Sequence, residues 1–230
     1  MPLPVAESRW TSRISRARTL AGARPEARAA LAFYAELVGL QQSLAHTHDN
    51  AASALREYLE WLQRNAPPPI AEASIGIEQS AVEWPALLAS YSVATDAARA
   101  FIVEGLLQIF PPDPCAFCSG PPVVSVLREA AHGSRRSYVC GVCFAESAAP
   151  RLGCLHCGET RVDALPVFRT ESTDPARIDA CDNCHGYVKT IDLTRDALAC
   201  LVGDDLASVS LDLWAREQGY HRLRPNLLRL

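Results

Sequence analysis

No run of about 18 consecutive apolar residues occurs in this chain, so no segment is expected to cross a membrane as a helix. A secretory signal is missing too. Met1 to Arg28 is rich in arginine without an apolar centre, and reads as a basic surface lead on a protein of the reducing cytoplasm. Lysine is nearly absent, Lys189 being the only one among 22 basic residues. That imbalance reads either as compositional bias with one surviving surface lysine, or as a need for a compact ammonium beside the cysteines nearby. Charge of one sign is not in excess, since the net charge is -4. The cysteine-rich part, from Cys115 to Lys189, carries equal numbers of acidic and basic side chains, so phosphate neutralisation has little to work with and nucleic acid is not the expected partner. Arg135-Arg136 is a local exception, read as a solvated hairpin tip. No nucleophile, base and orienter fall into a recognisable set, and the chain reads as a binding protein rather than an enzyme.

Four Cys-x-x-Cys pairs are present: Cys115/Cys118, Cys140/Cys143, Cys154/Cys157 and Cys181/Cys184. Such a pair turns two thiolates toward one point, and two pairs complete the four-sulfur tetrahedron that suits zinc or iron. Between the pairs lie 21, 10 and 23 residues, two near-equal loops around a short joint. This spacing suggests two ribbons in series with one metal ion each, while cross-braced and nested pairings stay open. A disulfide framework fits poorly, because a ninth cysteine, Cys200, is left over and no secretory signal is seen. Cys200 sits among Leu198, Ala199, Leu201 and Val202 and reads as a buried, inert thiol. His156 and His185 lie in or beside knuckles that four cysteines already fill, so surface hydrogen bonding is expected of them.

At 230 residues and 49% hydrophobic, the chain can bury an ordinary core in one or two domains. Leu31, Tyr34, Val38 and Gln41 recur at helical spacing after Pro25, and Leu55, Tyr58, Leu59 and Leu62 follow a capping Asp49 or Asn50. Pro67-Pro68-Pro69 is expected to turn or extend the chain. Further helices are expected from Trp84 through Tyr91, recapped over Ser92 to Asp96, and along Phe101, Ile102, Leu106 and Ile109. Together these make an all-α bundle with Phe33, Tyr34, Tyr58 and Trp61 in its core. Pro111 to Pro114 marks its end. Val123 to Leu127 and Ser137 to Val139 suggest a hairpin between the first knuckles; Leu165 to Phe168 and Ile178 to Ala180 repeat the plan, and Tyr187 to Ile191 alternates like a strand. Such small sheets carry few apolar residues, and metal is expected to decide whether they fold. A last helix is expected to start at Asp204 and Asp205, bury Leu206, Val209, Leu213 and Trp214, and close at Gly219.

Four stretches are more specific: Arg16-Ala17-Arg18-Thr19-Leu20-Ala21 with the helix from Phe33 to Gln42; Cys115-Ala116-Phe117-Cys118-Ser119-Gly120-Pro121-Pro122; Cys181-Asp182-Asn183-Cys184-His185-Gly186-Tyr187-Val188-Lys189; and Asp204-Asp205-Leu206-Ala207-Ser208 through Leu211-Asp212 to Gly219-Tyr220. Together they resemble the formate dehydrogenase accessory protein family, the FdhE family. The resemblance implies an α+β fold, a helical bundle followed by two consecutive rubredoxin-like or zinc-ribbon modules and a C-terminal helix. The corresponding boundaries are 1–112, 113–148, 149–192 and 193–230. It implies a cytoplasmic maturation factor for the catalytic subunit of a respiratory formate dehydrogenase, with self-association left open. Ala116 and Ser119 stand where such knuckles usually carry proline and glycine, and Cys143-Phe144-Ala145 also lacks the glycine, which leaves iron against zinc undecided. Competing functions are electron transfer through rubredoxin-like iron and nucleic-acid binding by zinc ribbons.

Overall fold

The computed structural model describes residues 6–77, 97–170, 174–227 and 229. Among the described residues, five helices precede the cysteines: α1 (Ala6–Ala23), α2 (Arg28–Thr47), α3 (Ala51–Asn65), α4 (Pro68–Ile75) and α5 (Ala97–Leu107). Pro25 opens a short 3-10 turn ahead of α2, whose Leu31, Tyr34, Val38 and Gln41 are all buried. Asn50 caps α3, its side-chain oxygen accepting the Ser53 amide at 3.0 Å. The core holds Tyr34 and Tyr58, while Phe33 stacks on Trp61 with ring centroids 5.9 Å apart at its margin. The helix expected around Trp84 to Tyr91 and its recap at Ser92 to Asp96 lie outside the described residues.

Two expectations about this half are corrected. The arginine-rich start is a core element, since Trp10, Arg13, Ala17 and Leu20 of α1 are buried and α1 packs on α2 and the C-terminal helices. Two of its arginines are spent inside the protein: Arg13 donates to the Tyr34 hydroxyl and Arg16 pairs with Asp196 and Asp204. The proline run also does more than turn. Pro68 and Pro69 occupy the first turn of α4, where a missing amide costs no intrahelical bond.

The cysteine-rich half forms one mixed sheet from β1 (Val124–Ala130), β2 (Gly133–Val139), β3 (Glu146–Ala148), β4 (Val167–Phe168), β5 (Ala176–Ala180), β6 (Gly186–Asp192) and β7 (His221–Arg222), in the order β3-β2-β1-β6-β5-β4 with β7 also on β6. β1 and β2 pair antiparallel with Val124 opposite Val139, and β5 and β6 with Ala180 opposite Tyr187. The two hairpins are fused by a parallel pairing of β1 with β6, Ser125 opposite Thr190. β6 is therefore central, and all seven of its residues are buried. Arg136, expected at a solvated tip, instead reaches across the seam to Asp179 at 2.8 Å, because the turn is made by the residues before Gly133.

Closing the chain, α6 (Leu201–Ala207) and α7 (Val209–Glu217) break at Ser208 and cover one face of the sheet. Leu206, Leu211 and Ala215 point inward, but Leu213 is 53% exposed: the break shifts the buried stripe off the spacing a single helix would keep. Asp204 accepts the Cys200 amide at the start of α6, as an acceptor there should, yet Asp204 and Asp205 are themselves buried and paired with cations.

Candidate metal centres

Each knuckle is a tight turn whose amides face sulfur. Backbone N–H groups of Phe117, Ala145, Glu159 and Gly186 donate toward Cys115, Cys143, Cys157 and Cys184. After the second cysteine of three knuckles the backbone is left-handed: Phe144 at φ 58°, Gly158 at 75° and His185 at 56°. A phenylalanine and a histidine thus hold a conformation in which glycine is usual, at a cost of about 1–3 kcal/mol each. Phe144 is repaid by packing, since the Arg13 guanidinium lies 4.6 Å from its ring centroid.

The folded chain brings the eight cysteines into two groups, Cys115, Cys118, Cys140 and Cys143 in one and Cys154, Cys157, Cys181 and Cys184 in the other. Within each group all four sulfurs lie within 4.8 Å of one another. The Cys115–Cys140 and Cys118–Cys143 sulfurs are 3.9 and 3.4 Å apart, and Cys154–Cys184 and Cys157–Cys181 are both 3.6 Å apart. A tetrahedron of sulfurs about 2.3 Å from a central zinc has edges of about 3.8 Å, whereas a disulfide requires about 2.05 Å. The groups fit a four-sulfur metal ion and are not disulfides. His156 and His185 are exposed and belong to neither group.

Without metal the thiols share protons unequally. The Glu159 amide, then the Asn183 side-chain amide 3.5 Å away, draw the Cys157 thiol down to about 6. Burial pushes the Cys184 thiol up to about 12, and the sulfur of Cys143 does the same to Cys118. The second group thus has a thiol ready to ionise beside one that burial keeps protonated. In the first, burial is outweighed at Cys143 by the Ala145 amide and neighbouring sulfurs, which lower its thiol. Asn183 was not singled out by sequence reasoning, although an amide donor between two cysteines is a visible signal.

Lys189 follows neither reading made of it. It is fully buried on the helix-covered face of β6, with its ammonium 2.5 Å from Asp212, 3.1 Å from Asp205 and 2.7 Å from the Asp205 carbonyl. Arg222 adds contacts of 2.8 Å to Asp205 and 3.2 Å to Asp212, Tyr187 donates to Asp212, and Asn226 donates to Asp205. Two cations and two carboxylates thus balance inside the protein, joining β6 to α6 and α7. Cys200 is partly buried, and burial pushes its thiol up, away from nucleophilic character.

Comparison with known proteins fits this arrangement. Residues 152–229 match the family described as FdhE, C-terminal domain. A protein FdhE homolog of Aquifex aeolicus is 36% identical over 115 residues, covering 50% of this chain and 41% of that protein. One from Pseudomonas aeruginosa is 34% identical over 120 residues, covering 50% and 38%. These matches thus span about two fifths of the relatives' length. The crystal structure of the FdhE protein from Pseudomonas aeruginosa shares the fold, with a TM-score of 0.72 at 23% identity over 96% of this chain and 95% of that one. Residues 152–229 thus match the FdhE C-terminal domain, about half of the chain is similar to curated FdhE homologs, and the whole chain shares the fold of an FdhE protein.

Proposed function

We propose that this protein is a cytoplasmic accessory factor, without catalytic activity of its own, that binds the catalytic subunit of a respiratory formate dehydrogenase and is needed for that enzyme's activity. The observation that carries the reading is the pair of four-sulfur groups, each within 4.8 Å, in a chain whose residues 152–229 match the FdhE C-terminal domain. On this reading Cys115, Cys118, Cys140 and Cys143 hold one iron or zinc ion, and Cys154, Cys157, Cys181 and Cys184 hold the other. A bound ion would cross-link two knuckles and fix their loops as a docking surface. The segments 1–112, 113–148, 149–192 and 193–230 are its proposed domains. Co-purification with the catalytic subunit tests the proposal. The parent chain is expected to retain the subunit and Cys154→Ala/Cys157→Ala to lose it; retention after complete metal loss removes the cages from docking, and no retention by the parent chain overturns the reading.

A second reading, electron transfer through iron, draws support from the exposure of Cys118 and Cys157, which leaves an edge of each group at the surface. Metal analysis with a visible spectrum separates the two. Colourless protein holding only zinc, purified without oxygen, ends the electron-transfer reading.

A further inference from the structure

On the sheet face opposite α6 and α7, the loop of the third knuckle covers β5 and β6 and leaves a cavity of about 80 Å³. Pockets for cofactors and drug-sized ligands run to about 300–1,000 Å³, so this one suits a single side chain. Its interior is cationic. Arg136 and Arg177 both contact Asp179 at 2.8 Å, two guanidinium groups on one carboxylate. Arg151, exposed at the rim, has no ion-pair partner among the described residues.

The Tyr138 hydroxyl is the second unspent donor. Tyr138 lines the cavity, is only 7% exposed, and its hydroxyl has no hydrogen-bond partner among the described residues. A buried hydroxyl left unpaired costs free energy that an incoming acceptor returns. The mouth, by contrast, is apolar: Leu152, Leu155 and Val167 line it and are 48, 41 and 51% exposed. Val167 belongs to β4, the end strand of the sheet, whose outer edge has no strand beside it among the described residues. Cationic interior, apolar rim and open strand edge call for three matching features in one ligand.

We propose that this cavity docks an extended acidic–apolar peptide segment of a partner protein, one carboxylate side chain entering toward Tyr138 and Arg151 while apolar neighbours rest on Leu152, Leu155 and Val167. The inference rests on the proposed docking role and names the surface that performs it. A free small anion would gain nothing from the apolar rim, and an apolar peptide would leave both donors unpaired. A filled cage behind Cys154 and Cys181 carries negative charge, so affinity comes from directed hydrogen bonds and apolar contact rather than from a long-range field.

The test is an NMR titration of the full chain with two blocked peptides, acetyl-Leu-Ala-Glu-Ala-Leu-amide, whose leucines share the glutamate's face in an extended strand, and its glutamine counterpart. The glutamate peptide is expected to shift amides of residues 151–155, 165–167 and 177–181 and to bind about tenfold more tightly than the glutamine peptide. Tyr138→Phe and Arg151→Gln, one keeping the buried ring and the other lying at the surface, are each expected to weaken the glutamate peptide about three- to tenfold and leave the glutamine peptide unchanged. Equal binding of the two peptides, binding of neither, or unaltered affinity in both variants overturns the proposal. Retention of the catalytic subunit is measured separately: if it persists while the peptides fail, this pocket is wrong and the docking role stands; if it is absent, the docking role fails.

Discussion

At the scale of single residues, the buried charge cluster carries the most consequence. Lys189 is 0% exposed and faces two carboxylates exposed by only 1 and 7%, so removing its ammonium strands negative charge where water cannot reach it. Lys189→Met should cost about 3–5 kcal/mol, read as a lower midpoint in urea unfolding. Acid titration examines the same cluster from the anionic side. Burial by itself would raise the Asp205 pKa, but Arg222, Lys189 and the Asn226 amide outweigh burial and hold it below the usual carboxylate range. A folded pKa below the unfolded one stabilises the protein above the unfolded value of about 3.9, and that contribution is lost as pH falls through the folded value. Asp205→Asn is therefore expected to be less stable than the parent at pH 7, with the difference narrowing below about pH 4 in unfolding curves taken across pH. A difference constant with pH would show that Asp205 acts by shape alone.

Between elements, close approach sets the limits. A Cβ at Gly105 of α5 would lie 2.1 Å from the Tyr58 hydroxyl oxygen and 3.2 Å from the ring carbon that bears it, and Tyr58 of α3 is fully buried. Gly105→Ala should cost about 1–3 kcal/mol through overpacking. Because the Tyr58 hydroxyl has no hydrogen-bond partner among the described residues, Tyr58→Phe should cost little and relieve much of that loss, a coupling that a double-mutant unfolding cycle measures. Such contacts are invisible in sequence, whereas α2, α3 and α5 were legible because their apolar residues recur on one face, and Asn50 because capping is a local event. α1 was not, although Trp10, Arg13, Ala17 and Leu20 have the same spacing, because its arginines were assigned to solvent and two of them turn inward. Spacing pointed to the serial grouping of the cysteines but left cross-braced and nested pairings open, and the folded chain brings the serial groups together. Fusion of the hairpins did not, since a parallel pairing of residues 65 apart in sequence leaves no local trace. Lys189 escaped for the same reason: its partners belong to helices that the strand meets only in three dimensions.

Considered whole, the molecule has cores that run across its segments, and this changes what metal is expected to do. Cys140, Val142 and Leu227 pack in the cluster of α3 and α5, and Val202, Leu206 and Ala207 in that of α1 and α2. The sheet is richer in buried apolar residues than its sequence suggests, because Val126, Val139, Ile178 and Ile191 are all 0% exposed under the C-terminal helices. A structural zinc returns on the order of 10–16 kcal/mol when a small domain has nothing else to fold around, but here the strands have a core of their own. Chelation should then act locally. Hydrogen exchange after metal removal is expected to quicken at residues 115–119, 140–145, 154–159 and 181–185, while β1, β6, α2 and α3 keep most of their protection and far-UV helicity is retained. Uniform loss of protection through β1 and β6 would instead mean that the cages, and not the packing of the helices on the sheet, hold this half of the protein together.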